Sequence, residues 1–262
     1  MAKSKKILLS FDTEEFDLPR EQGVDISFEE SVRVSAAGSE VILDMLEQQG
    51  VRATFFCTVR FACAAPAVME RIVAGGHEVA SHGVDHWEQR AGDAAQSRTE
   101  LERLTGQPVT GYRQPRMMAI DNGELARAGY RYNSSVHPTF IPGRYMHLNV
   151  PRVPFVEGGL PQIPVSVTPW LRLPLFWLAC HNYPQWLYRR LCLRTLRHDG
   201  HFAIYFHPWE FVALGEHREW RTPWIIRRNS GHGMAQRLRR LIADFKAHGA
   251  EFVTYNDFVS CQ

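Results

Sequence analysis

Four apolar runs in this 262-residue chain each end in a residue that can carry charge or hold a metal. Ile7–Phe11 runs into Asp12 and Glu14, Glu78–Ser81 into His82 and His86, Val109–Tyr112 into Arg113, and Phe202–Phe206 into His207. β-Branched and aromatic residues make these runs strand-like. Between them lie segments of helical spacing: Ser39–Gln49, with Val41, Ile42, Met45 and Leu46 before a stop at Gly50, then Ala67–Ala74 and Gln96–Thr105. Ala53–Phe56 and Phe252–Thr254 read as further strands and Met234–Ala247 as an amphipathic helix. The alternation predicts a parallel α/β architecture. In a parallel α/β barrel the C-terminal strand ends share one face, so polar endings distant in sequence can meet there.

The length allows one large domain or two small ones with a core of ordinary size, and one is taken, residues 1–262. A net charge of +2 gives no reason to expect a polyanionic partner, and no nucleic acid is expected. Five cysteines without CxxC spacing read as reduced thiols of a cytoplasmic protein. The lysine-led start has only about five apolar residues before Asp12, short of a signal-peptide core of about 7–15. No run reaches the roughly 18 apolar residues of a membrane span. The expected location is the cytoplasm. His137–Pro174 is proline-rich, lacks helical period and reads as a long surface excursion of the binding-loop kind.

"SFDTEEFD" crowds Asp12, Glu14, Glu15 and Asp17 at one strand end, more acids than solubility needs. "SHGVDH" sets His82 and His86 four apart, and one helical turn would put both imidazoles on one side. With a carboxylate they form a metal triad with open positions, although surface or core histidines are the plainer reading of the pair alone. Ser81, Ser134 and Ser135 lack the GxSxG elbow of a serine hydrolase. Trp170, Phe176, Trp177, Tyr183, Trp186 and Tyr188 could stack on sugars, with ordinary core as the alternative. Arg189, Arg190, Arg194 and Arg197 would suit a lipid-linked diphosphate sugar, or simply form a solvated helix face.

"SFDTEEFD", "SHGVDH", "GYRQPR", "YNSSVHP" and "IYFHPWE" follow one another from Leu8 to Glu210. In order and spacing they resemble the five motifs of polysaccharide deacetylases, carbohydrate esterase family 4, the group with the NodB homology domain. "YFHPWE" resembles the branch found in exopolysaccharide and O-antigen loci. The resemblance implies a distorted (β/α) barrel and a zinc ion, or another divalent transition metal. It implies hydrolysis of an N-acetyl group on an amino sugar, lipid-linked or nucleotide-linked, with at most peripheral contact at the inner membrane face. Carried over residue by residue, Asp12 is the general base, Arg113 its orienting partner and His207 the general acid. His82 and His86 are metal ligands. Pro115, Ser134 and Trp209 are assigned to substrate binding. Two departures stand out. Thr13 occupies the position of the usual ligand aspartate, which makes Glu14 the third ligand by an acid-x-acid pattern. Asn133 replaces a common aspartate. The same fold also serves deformylases and cyclic-amide hydrolases, and silent carbohydrate-binding relatives exist.

Overall fold

β1 (Lys5–Thr13) is buried from Ile7 onward on both faces, as a parallel strand covered on two sides must be. It anchors a curled sheet in the computed structural model, which describes residues 4–143 and 145–261. β2 (Thr54–Cys57), β3 (Glu78–Ser81), β4 (Gly111–Tyr112) and β5 (Tyr132–Asn133) follow as successive parallel neighbours. β6 (Phe140–Ile141) and β7 (Tyr145–Met146) form a separate hairpin. β8 (Phe155–Glu157) turns antiparallel onto β9 (Leu160–Gln162), which extends the main sheet beside β5. On the other side of β1, β10 (His201–Phe206) pairs over Lys6–Phe11; β11 (Ala250–Phe252) pairs with Lys5–Ile7 on the side that β2 takes further along. The gap between the β9 and β10 sides is bridged irregularly. The Ser166 N–H donates to Ala203 O at 2.9 Å, and the Ala203 N–H donates to Ser166 Oγ at 2.9 Å. The result is the parallel α/β order expected from the strand pattern, curled into the distorted barrel that the family resemblance implies.

The helices are α1 (Leu18–Glu21), α2 (Phe28–Gln49), α3 (Val59–Ala64), α4 (Pro66–Ala74), α5 (Asp93–Thr105), α6 (Asn122–Arg127), α7 (Trp177–Asn182), α8 (Gln185–Asp199), α9 (Trp224–Arg227), α10 (His232–Ala247) and α11 (Tyr255–Ser260). α2 starts eleven residues before its apolar spacing becomes readable. Ser27 caps it by accepting the Glu30 N–H, and its first half buries Ser31, Val32, Val34, Ser35 and Gly38. A Cβ on Gly38 would fall 1.8 Å from the Pro208 carbonyl oxygen, so only glycine lets the helix press against the turn that follows β10. α8 gives the arginine run the solvated helix face read for it: its exposed side carries Trp186, Arg190, Arg194 and Arg197, and its buried side Tyr188, Cys192 and Leu196.

One core packs sheet against helices. A smaller one, with Leu8, Phe56, Tyr132, Ile163, Ala203 and Tyr255, fills the inside of the curl. Among its described residues the His137–Pro174 segment lacks helix, as expected, yet it is more than a surface excursion because it supplies β9 to the sheet. Among the described residues no helix is long and apolar enough to cross a membrane.

Candidate active site

Glu14, one residue beyond β1, points a carboxylate oxygen at two imidazoles. Its Oε2 lies 3.1 Å from His82 Nε2 and 3.1 Å from His86 Nε2, and all three groups are largely buried. "SHGVDH" is not helical, contrary to the spacing argument. It is the loop leaving β3, bent at Gly83 with φ +79°, and the bend brings the imidazoles together. Each ring is set from behind. His82 Nδ1–H donates to Arg113 O at 2.8 Å, and His86 Nδ1–H donates to Asp17 Oδ2 at 2.7 Å. Both Nε2 atoms therefore face Glu14, as ligating histidines require.

The residues fit a cation. Their ligand atoms lie within 4.8 Å of one another, and the buried Glu14 Oε2 has no hydrogen-bond partner among the described residues. A buried carboxylate oxygen facing two imidazole Nε2 atoms is the donor set of a zinc-type ion, which would take the place of any proton on those nitrogens. Thr13 takes no part: it is buried with its hydroxyl turned to Phe11 O.

Asp12 closes one side. Arg113 is fully buried and its Nη1 donates to Asp12 Oδ1, with further bonds to Ser10 Oγ at 3.0 Å, Ser134 O at 3.0 Å, Ser134 Oγ at 3.0 Å and Tyr255 Oη at 3.2 Å. The guanidinium lies 3.9 Å over the Phe56 ring. Burial pushes the Asp12 carboxyl up, but Arg113, with His82 and His207, outweighs it and holds the group below its ordinary range. Burial likewise lowers the Arg113 pKa, and Asp12 more than restores it.

His207 closes the other side, its Nε2 4.0 Å from Glu14 Oε1. Its Nδ1–H donates to Glu210 Oε1 at 3.0 Å, and its own backbone N–H donates to the same oxygen at 2.6 Å. Glu210 Oε2 is 3.0 Å from His181 Nε2, whose ring is anchored through Nδ1 on Arg228 O at 2.8 Å. Burial lowers the His207 pKa, but Glu210, Glu14 and Asp12 together raise it above the ordinary imidazole value. His86 follows the same logic: burial lowers it, and Glu14 and Asp17 lift it to about 9.

Of the three residues assigned to substrate, the structure brings one to the cleft. Trp209 lines it, stacked on His207 with ring centroids 4.7 Å apart. Ser134 lies beneath, donating to Ile163 O and accepting from Arg113. Pro115 packs on the Gly83 loop and lines a neighbouring groove. Of the aromatic group after residue 169, Trp177 alone reaches the cleft; Phe176 and Tyr188 are core, and Trp170 and Trp186 are exposed elsewhere. Asn133 is buried, donating to Asn122 Oδ1 and accepting from Ser135, so it shapes the loop. Arg189 pairs with Asp244 on α10, away from the cleft. Asp17 and Glu210 went unrecognised in the sequence. Asp17 was one of four crowded acids with no role of its own, and Glu210 carried only the signal of lying three residues after His207.

A half-barrel whose strand ends gather a carboxylate and two imidazoles, flanked by Asp12–Arg113 and His207–Glu210, carries a group that could hold a metal ion. The chain belongs to the polysaccharide deacetylase family, whose model matches residues 2–132. An uncharacterized 30.6 kDa protein of Geobacillus stearothermophilus is 34% identical over 100 residues, and the match spans 38% of that relative's length. A Mycobacterium smegmatis structure assigned to the polysaccharide deacetylases covers 100% of this chain and 91% of its own, with a TM-score of 0.70 at 19% identity. The PuuE allantoinase covers 99% of this chain and 90% of its own, with a TM-score of 0.68 at 17% identity. These structural likenesses establish the fold.

Proposed function

We propose that this chain removes an N-acetyl group from an amino sugar, using one divalent transition metal, zinc foremost, held by Glu14, His82 and His86. The carrying observation is the convergence of those three buried donors with Asp12–Arg113 and His207–Glu210 on one cleft. When bound, such an ion supplies a water of lowered pKa and a Lewis acid for the acyl oxygen. Asp12, kept ionised by Arg113, takes the proton of the attacking water. His207, kept protonated by Glu210 with Nε2 toward the cleft, gives a proton to the departing nitrogen. Trp209 stacks on that imidazole and Trp177 meets it edge-on at 5.2 Å, so both keep it dry. Ser134 and Pro115 support Arg113 and the histidine loop.

The cleft holds about 80 Å³. A site this small suits an acyl group held against the metal ligands, with the rest of the substrate extending outward. The sugar and its carrier then lie at the mouth, in keeping with a lipid-linked or nucleotide-linked intermediate of surface polysaccharide assembly in the cytoplasm. The same narrowness admits a formyl group, so a deformylase is the second reading. The test is to incubate zinc-loaded protein with N-acetyl and N-formyl amino sugars, free, nucleotide-linked and lipid-linked, and to assay acetate and formate. Release of neither acid from any of them would sink both readings.

A further inference from the structure

Arg116 is on the cleft wall, yet the proposed reaction leaves it unused. It sits in the 3-10 turn Pro115–Met117, three residues beyond Arg113. Arg116 has φ +58° and Met117 φ +52°, so two consecutive residues with side chains adopt the left-handed region. L residues rarely do so, and the conformation persists only where the surroundings hold it. The turn directs the guanidinium to the mouth of the cleft. There it lies 4.3 Å over the Trp87 ring, which fixes its plane. Nη2 donates to Glu21 Oε1 at 2.9 Å, and the buried Nε has no hydrogen-bond partner among the described residues. The two side chains are 32% and 35% exposed, so the Glu21 contact is open to competition from a ligand.

A stacked guanidinium with spare donors presents a fork suited to a carboxylate or a phosphate. We propose that Arg116 is an anion subsite: the acylated sugar taken by this cleft carries a phosphate or carboxylate beside its reacting ring, and that group displaces Glu21. The inference rests on the reading that an amino sugar enters the cleft. The competing account is a clasp, with the Glu21–Arg116 pair doing no more than tie α1 to the turn.

The test is calorimetric binding to the zinc-loaded chain at fixed ionic strength, in an Asp12→Asn background that stops turnover. Three ligands are compared: a neutral 2-acetamido sugar, its 1-phosphate and the corresponding 2-acetamido uronic acid. With Arg116 present, at least one anionic ligand should bind roughly ten- to a hundredfold tighter than the neutral sugar, and which one does identifies the group as phosphate or carboxylate. Arg116→Met should erase the preference. Arg116→Lys, which keeps charge without the fork, should retain part of it. Glu21→Gln should strengthen anion binding by removing the resident competitor. Equal affinity for all three ligands, an unchanged preference in Arg116→Met, or weaker anion binding in Glu21→Gln would overturn the subsite. Acyl release is assayed separately with Asp12 intact. Preference without turnover then counts against deacetylation alone, and turnover without preference against the subsite alone.

Discussion

The two ends of β1 carry charge in opposite ways. At the Lys5 end a groove of about 1170 Å³ is lined by two ion pairs that face water, Lys6 with Glu251 and Arg52 with Asp257, beside the more buried pair of Arg152 with Asp199. At the Asp12 end the cleft is far smaller, and its charges are nearly all buried. Exposed pairs cost little to form and return little, because water and salt screen them. Buried charges persist only when partners meet each one, and Arg113 bonds to four other residues. Cavity size therefore misleads here. The proposed chemistry lies where the chain has accepted the desolvation of several ionisable groups at once.

The sharpest test of that contrast separates the two central acids. Asp12→Asn should keep the metal and lose roughly 10²–10⁴-fold in rate, the usual worth of general acid–base catalysis. Glu14→Gln should instead lose metal, with activity partly restored by excess zinc, so a zinc titration with bound metal measured alongside tells them apart. Zinc rescue of Asp12→Asn would mean the roles are reversed.

Arg113→Met should destabilise the fold by about 3–5 kcal/mol, since it strands a buried carboxylate. Urea denaturation measures this. A loss under about 1 kcal/mol, the level of an exposed pair, would erase the distinction between the two ends. Asp17→Asn should weaken metal binding about 10–100-fold by releasing His86 from its hydrogen bond, read by competition with a chelator. Unchanged affinity would return Asp17 to a flanking role.

The pH profile follows from signs. Asp12 must be ionised and its pKa is held down, so the acid limb of kcat/KM should lie below the ordinary carboxylate range. His207 must be protonated and its pKa is raised, so activity should persist above the ordinary imidazole range and fall as pH rises through the raised value. Glu210→Gln removes the leading cause of that elevation, so the alkaline limb should move to lower pH. An unmoved limb would detach His207 from it. Smallest of all, Lys6→Ala should change stability by no more than about 1 kcal/mol and leave acyl release as it was.

Much of this was legible because local chemistry carried it. β3 was read to the residue, and α10 within two residues of its start, because their apolar patterns are unambiguous. α2 was read only from Ser39, because Ser31, Ser35 and Gly38 make a buried face of small residues that no hydrophobic period reveals. That face exists because the His207 turn presses on it, a long-range contact. The helical reading of His82–His86 failed for a related reason: four-residue spacing suits a helical turn, but Gly83 bends the loop to the same end.

By itself, then, the sequence determined which groups could do chemistry, because a strand's period and its terminal residue are local properties of the chain. It named Asp12, Glu14, His82, His86, Arg113 and His207 without showing how they are held. Only the tertiary structure decided that Asp17 orients His86, that Glu210 orients His207 and that Ser134 lies beneath the site. Each of those roles is a distance between residues on different elements, created when the parallel strands align their ends. No pattern along one segment encodes it.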